Sequence, residues 1–389
     1  MGLISDIFGG SNQLDYNSSK INLNFDGFKL NIITNTLKAD IKSLKYDNQY
    51  SNKIFNFQDT EKRTQTFLSL FNKSKIELID FIIHEIKINP LYKEVPCINI
   101  YLMGGMDARP LDDKLSFYKM SSALGWVMTR EIKQGKYNIY LNIPLLMYIS
   151  LEDNIYSLQK ERIRDTLQHE QEHIIHEIKN HVFVDEAIIR KRIYKALYPY
   201  HQALISEYKK FFLLGSWFDY KKCLMLLRES ISLLMRGIHT EGFARYFENT
   251  SKYTYTFSSW KDNYWKAYYA VRELNRNFES IIDILFYFPK HNAKSDLKTF
   301  KLYLDSISGG IEKYDIGAFM VYTIIFYNNK TFEEILYMSV YQFFKEYESA
   351  MTKSGLEPVV SLNSGKGMLD FNSILGRISK EVDKKSLKD

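Results

Sequence analysis

The chain has 389 residues, 52 Lys+Arg against 46 Asp+Glu for a net charge of +6, and 45% apolar side chains. This excludes a disordered or fibrous chain and provides for a sizeable core in about two or three domain-sized units, or in one enlarged catalytic unit with an added N-terminal module. A modest positive charge without a long Lys/Arg block argues against a nucleic-acid partner, and two cysteines, Cys97 and Cys223, form neither a disulfide framework nor a CxxC pair, so a reducing compartment is expected.

The opening MGLISDIFGG has no basic region and no apolar run of secretory length. Ile21, Leu23 and Phe25 alternate with polar residues, and Phe28, Leu30 and Ile32 alternate again after Asp26-Gly27, which predicts a β-hairpin. Asp40 to Gln58 is polar and Asn-rich, a connector; Thr60 to Ile88 then carries Phe67, Leu70, Phe71, Ile76, Ile79 and Ile83 at helical spacing. Cys97 to Leu102 and Lys136 to Ile143 read as strands. From Leu145 to Ser308 breakers are few and the pattern is helical almost throughout, with helices expected over Ser157–Asn180, Val184–Phe212, Tyr220–Phe247 and Trp260–Tyr287, followed by Tyr314–Tyr327 and Thr331–Tyr347. The longest uncharged apolar stretch, Ile316 to Asn329, is shorter than the ~20 residues of a membrane-spanning helix. A soluble, cytoplasmic α+β protein, predominantly helical and with no membrane partner, is the expectation. The expected division is into an N-terminal extension over 1–95 (hairpin plus helix), a region over 96–290 that holds the motifs below, and a helical C-terminal region over 291–389.

The chemistry concentrates in His169-Glu170-Gln171-Glu172-His173, an HExxH pattern inside the helix expected from Ser157. Histidines four apart lie one turn apart on one helical face, so both imidazoles can reach one metal ion, and Glu170 is placed to take a proton from water at that ion. The plain alternative is a solvated His/Glu face of an amphipathic helix. Glu177 and His176 lie about 12 Å and about 10.5 Å beyond His169 along the axis at ~1.5 Å per residue, too far to share its ion. A longer metzincin-type motif would need Gly at 176 and His at 179, where the chain has His176 and Lys179. A third protein ligand must come from another segment.

Downstream, the chain reads His239-Thr-Glu241-Gly242-Phe243-Ala244-Arg245-Tyr246-Phe247-Glu248, with small residues at Gly242 and Ala244 suited to a close approach to the HExxH helix. HExxH followed by EGFARYFE resembles the gluzincin metallopeptidases, whose second motif places a glutamate ligand in an E-G-x-A context. The resemblance implies Glu241 as the third zinc ligand; read alone, Glu241 is as easily a surface carboxylate. Tyr314 to Met320 (YDIGAFM) resembles the segment in which gluzincin aminopeptidases keep a tyrosine aimed at the tetrahedral intermediate, which implies an oxyanion-stabilising role for Tyr314; the alternative is a core aromatic. The strand over 136–143 falls where zincins keep the edge strand that pairs with extended substrate. Gly104 to Ala108 is only partly similar to the aminopeptidase G-x-M-E-N segment and takes no role.

The likeness covers about Lys136 to Tyr327 and departs from the family in two places. The 67 residues between His173 and Glu241 exceed the aminopeptidase spacing, which suggests an inserted helical pair, and Arg245 stands where a buttressing carboxylate is common. His176 and His239 read as packing or solvated histidines. The reading implied is a zincin-like catalytic core binding one Zn2+ per chain through His169, His173 and Glu241, with Glu170 as general base and Tyr314 as helper, acting on a peptide or protein substrate. The rival is a non-catalytic helical protein on a zincin-like scaffold that binds a partner through its aromatic-rich helices.

Overall fold

The computed structural model describes residues 14–25, 27–35, 37, 60–88, 95–104, 124–150, 155–180, 220–250, 257–287, 312–362 and 367–386. The expected connector over 40–58, the expected helix over 184–212 and the segment 105–108 lie outside them. Within the described residues the protein is mostly helical with a small mixed sheet, an α+β arrangement, and none of these helices is long and apolar enough to cross a membrane. The chain divides into two compact units, Met1–Ile178 and Lys179–Asp389.

The first unit is built on five strands: β1 (Lys20–Phe25), β2 (Phe28–Ile33), β3 (Cys97–Met103), β4 (Gly125–Val127) and β5 (Asn138–Asn142), in the order β1-β2-β3-β5-β4. The predicted hairpin is present, with Phe25 opposite Phe28 and Gly27 at φ +85°, where a glycine adopts the left-handed backbone without penalty. β2, β3 and β5 run parallel, whereas β4 is antiparallel to β5. Parallel neighbours need a crossover, and α1 (Thr60–Ile88), matching the predicted span, lies between β2 and β3 in sequence. Leu30, Ile32, Ile98, Ile100, Leu102, Ile139 and Leu141 line one sheet face and share a single core with Phe67, Ile79 and Ile82 of α1 and with Ile163, Leu167 and Ile174 of α2 (Lys160–Asn180). On the opposite face of the strands Asn31, Asn99 and Asn138 hydrogen-bond in series at 2.7 Å each, and Glu131 accepts from both Asn138 (3.0 Å) and the Tyr140 hydroxyl (2.9 Å). Tyr101 and Trp126 stack on either side of the Tyr140 ring, with centroids 4.9 and 5.5 Å from it.

Two expectations for this unit are corrected. The strand over 136–143 is not an edge: β5 pairs on both sides and all five of its residues are buried, so among the described residues β4 closes that side of the sheet. The helix expected from Ser157 starts at Lys160, because Ile155–Leu158 (β7) pairs antiparallel with Met147–Ser150 (β6).

In the second unit α3 (Tyr220–Thr250), α4 (Phe257–Tyr287) and α5 (Glu312–Asn328) lie within a few residues of their predicted bounds. Every residue of α5 from Ile316 to Ile324 is buried, as a helix apolar on all sides must be, and α5 packs against α3, α4 and the helix over Val340–Ser354. The α3–α5 crossing is glycine against glycine: a Cβ at Gly242 would fall on the backbone of Gly317, and a Cβ at Gly317 on the carbonyl oxygen of Ile238. Gly242 thus meets the helix of Tyr314. The single helix expected over 331–347 is two, α6 (Phe332–Leu336) and α7 (Val340–Ser354). Each opens on its own capping box, Thr331 with Glu334 and Ser339 with Gln342, in which side chains satisfy amide groups that a continuous helix would have paired internally. Strands β8 (Val360–Ser361) and β9 (Leu369–Asp370) and helix α8 (Phe371–Ser386) complete this unit.

Candidate metal centre

Helix α2 is anchored by Ile163, Leu167 and Ile174, which sit at helical spacing and enter the sheet core. Glu161 in its first turn and Lys179 in its last suit the helix dipole. The rest of the helix departs from an ordinary amphipathic surface. Every residue from Thr166 to Glu177 is buried, including His169, Glu170, Glu172, His173, His176 and Glu177. The solvated His/Glu face is therefore overturned. Taking six ionisable side chains out of water on one helix costs free energy unless they are paired or coordinate something.

The pair HExxH brings together is in place. The Nε2 atoms of His169 and His173 lie 2.9 Å apart, with the rings edge to face at a centroid distance of 4.5 Å. Two imidazole nitrogens at that distance either share one proton or turn both lone pairs towards a cation. Glu241, the third ligand that the sequence resemblance implies, lies on α3 of the second unit and is partly exposed. Two imidazoles with a carboxylate are a donor set that zinc favours.

Glu170 lies one turn before Ile174, on the α2 stripe that faces the sheet, and β4 runs beside it. A Cβ at Gly125 would stand 2.5 Å from Thr166 Cγ2 and 3.2 Å from Glu170 Cγ, so the glycine is what permits strand and helix to lie this close. Tyr314 is half-buried in the first turn of α5, with the Lys313 ammonium 5.5 Å from its ring centroid. Arg245 is exposed and pairs with Glu248 at 2.5 Å, one turn along the same helix.

Some residues of the region were not visible as functional in the sequence. Glu172 is fully buried, and burial pushes its carboxyl up to about 8 against a smaller opposing pull from His169, so it holds a proton at neutral pH. It occupies a variable position of HExxH, where no pattern singles it out. Lys313 is buried with its Nζ 3.3 Å from Glu241 Oε1, and a lone lysine beside a tyrosine carries no motif either. His176 and His239 are both buried, which decides between the packing and solvated readings. His239 sits against Phe243 (5.1 Å) and Phe343 (4.8 Å), and burial, followed by the charge of Arg236, brings its imidazole down to about 3, so it is neutral. No family model matches the chain, and no curated protein and no solved structure matches it.

Proposed function

We propose that the protein is a zinc-dependent metallopeptidase of gluzincin type, with a zincin-like core formed by the mixed sheet and α2. The observation that carries this reading is the buried His169–His173 pair, with Nε2 atoms 2.9 Å apart, and Glu170 buried next to His169 on the same helix. His169, His173 and Glu241 would hold one Zn2+ per chain, leaving a position open as catalytic sites require. Bound there, zinc supplies Lewis acidity that polarises a carbonyl and makes water a nucleophile near neutral pH.

The remaining steps belong to the chain itself. The Glu170 carboxylate accepts the proton of the attacking water and returns it to the departing amine, so one group acts as base and then acid. Its burial beside β4 keeps it away from bulk water. Strand β4, one of the two outer strands of the described five-stranded sheet, offers main-chain groups for an extended peptide, which gives binding tolerant of side-chain sequence. The Tyr314 hydroxyl donates a hydrogen bond to the oxyanion as the carbonyl becomes tetrahedral.

The test is Glu170→Gln, with zinc content and hydrolysis of a fluorogenic peptide library measured side by side. Full zinc content with turnover lower by about 10²–10⁴-fold is expected. Undiminished turnover would remove Glu170 from the mechanism. The partner-binding reading draws on one specific observation, the exposed Trp265 and Tyr269 on α4 and Phe326 on α5. It requires the Glu170→Gln protein to keep its full biological activity.

A further inference from the structure

Resting on that reading of the metal centre, we infer that Lys313 is a positioning residue for Glu241, holding its carboxylate as a metal ligand. Lys313 is 6% exposed, and lysines are almost never buried without a partner. Its ammonium lies 3.3 Å from Glu241 Oε1. The route it takes is built into α3: a Cβ at Gly237 would stand 2.8 Å from Lys313 Cδ, so the glycine makes the slot through which the lysine stem passes. The Gly242–Gly317 crossing then fixes the spacing, since Lys313 and Gly317 lie one turn apart on α5 and face Gly237 to Gly242 of α3.

A cation beside a metal ligand has an electrostatic disadvantage, because ammonium and metal repel each other. The arrangement makes sense if the carboxylate serves both at once. The ion pair engages Oε1, and a carboxylate has a second oxygen with which to ligate. Fixing one oxygen selects a single side-chain orientation and favours coordination through one oxygen. Groups that orient ligands in this way are commonly worth about 10–100-fold in metal affinity.

The experiment measures zinc affinity of the full-length protein by competition with a chromophoric chelator, for wild type, Lys313→Met, Lys313→Arg, Glu241→Gln and the double variant Lys313→Met/Glu241→Gln. Lys313→Met, close in shape but uncharged, is expected to weaken zinc binding by about 10–100-fold. Lys313→Arg should recover most of that loss. In the Glu241→Gln background Lys313→Met should cause no further weakening, because its effect runs through the carboxylate. Should Lys313→Met fail to fold by circular dichroism, Lys313→Gln takes its place with the same expectation. Zinc binding within about threefold of wild type, or an equal loss with and without Glu241, would overturn the role of Lys313. A wild-type protein that binds no zinc would instead overturn the metal centre itself, and the two failures are distinct.

Discussion

Helices α1 and α2 pack into the same apolar core of the same unit, yet they bury different chemistry. α1 buries Phe67, Leu70, Phe71, Leu78, Ile79, Ile82, Ile83 and Ile86, and among its charged residues it buries Glu85. α2 buries Ile163, Leu167, Ile174 and Ile175 and, besides these, two histidines and two glutamates between Gln168 and Ile174. Hydrophobic burial and the pairing of Glu85 with Arg164 account for the buried apolar and charged residues of α1, since this is what stability requires of a helix on a sheet. Hydrophobic burial leaves the polar part of α2 unexplained, and the excess of buried titratable groups is the physical argument for a site there.

Breaking α1 should therefore change stability without touching metal binding. Ile79→Ala, at a fully buried position, should cost about 2–5 kcal/mol of unfolding free energy in a urea titration and leave zinc affinity unaltered. A loss of zinc in a folded Ile79→Ala protein would show that the two helices are not separable in this way. Arg164 of α2 is ion-paired with Glu85 of α1, Nε to Oε2 at 3.0 Å; the glutamate side chain is wholly buried and the arginine one-third exposed. Arg164→Met should cost about 2 kcal/mol, below the usual figure for breaking a buried pair because water reaches the arginine. A change under about 0.5 kcal/mol would place this contact with ordinary surface pairs.

The smallest effect sharpens the contrast from within α2. The Glu172 carboxyl is raised from its ordinary 4.5 to about 8, so its folded form holds the proton more tightly than its unfolded form. The stability it contributes is fully present below about 4.5 and is lost as the pH rises through 8. In metal-stripped protein, Glu172→Gln should match wild type in thermal midpoint near pH 4.5 and exceed it by a few degrees above pH 8. A gap that stayed constant with pH would contradict the assignment.

The sequence made α1, α2 and the HExxH pair legible because each depends on short-range spacing. Apolar residues at helical intervals give the helices, and residues four apart necessarily share a face, whatever the rest of the chain does. β4 escaped notice because Gly125, Trp126 and Val127 are too few to show alternation. The α6–α7 break was readable in principle from Thr331-x-x-Glu334 and Ser339-x-x-Gln342, but the apolar stripe across it imitated one helix. Other features depend on pairing at a distance. Nothing local to Gly242 indicates that its neighbour is Gly317, and nothing local to Lys313 indicates that it reaches Glu241. Likewise β5 gained its interior place from β4, a strand that precedes it in the chain and lies on its far side in the sheet.

The most direct measurement is the zinc content of purified wild-type protein beside His169→Ala and Glu241→Ala, by elemental analysis after dialysis against zinc. About one zinc per wild-type chain, lost or much weakened in both variants, is the predicted result. A well-folded wild type that takes up no zinc, or a Glu241→Ala protein that binds it as well as wild type, would contradict the three-ligand centre.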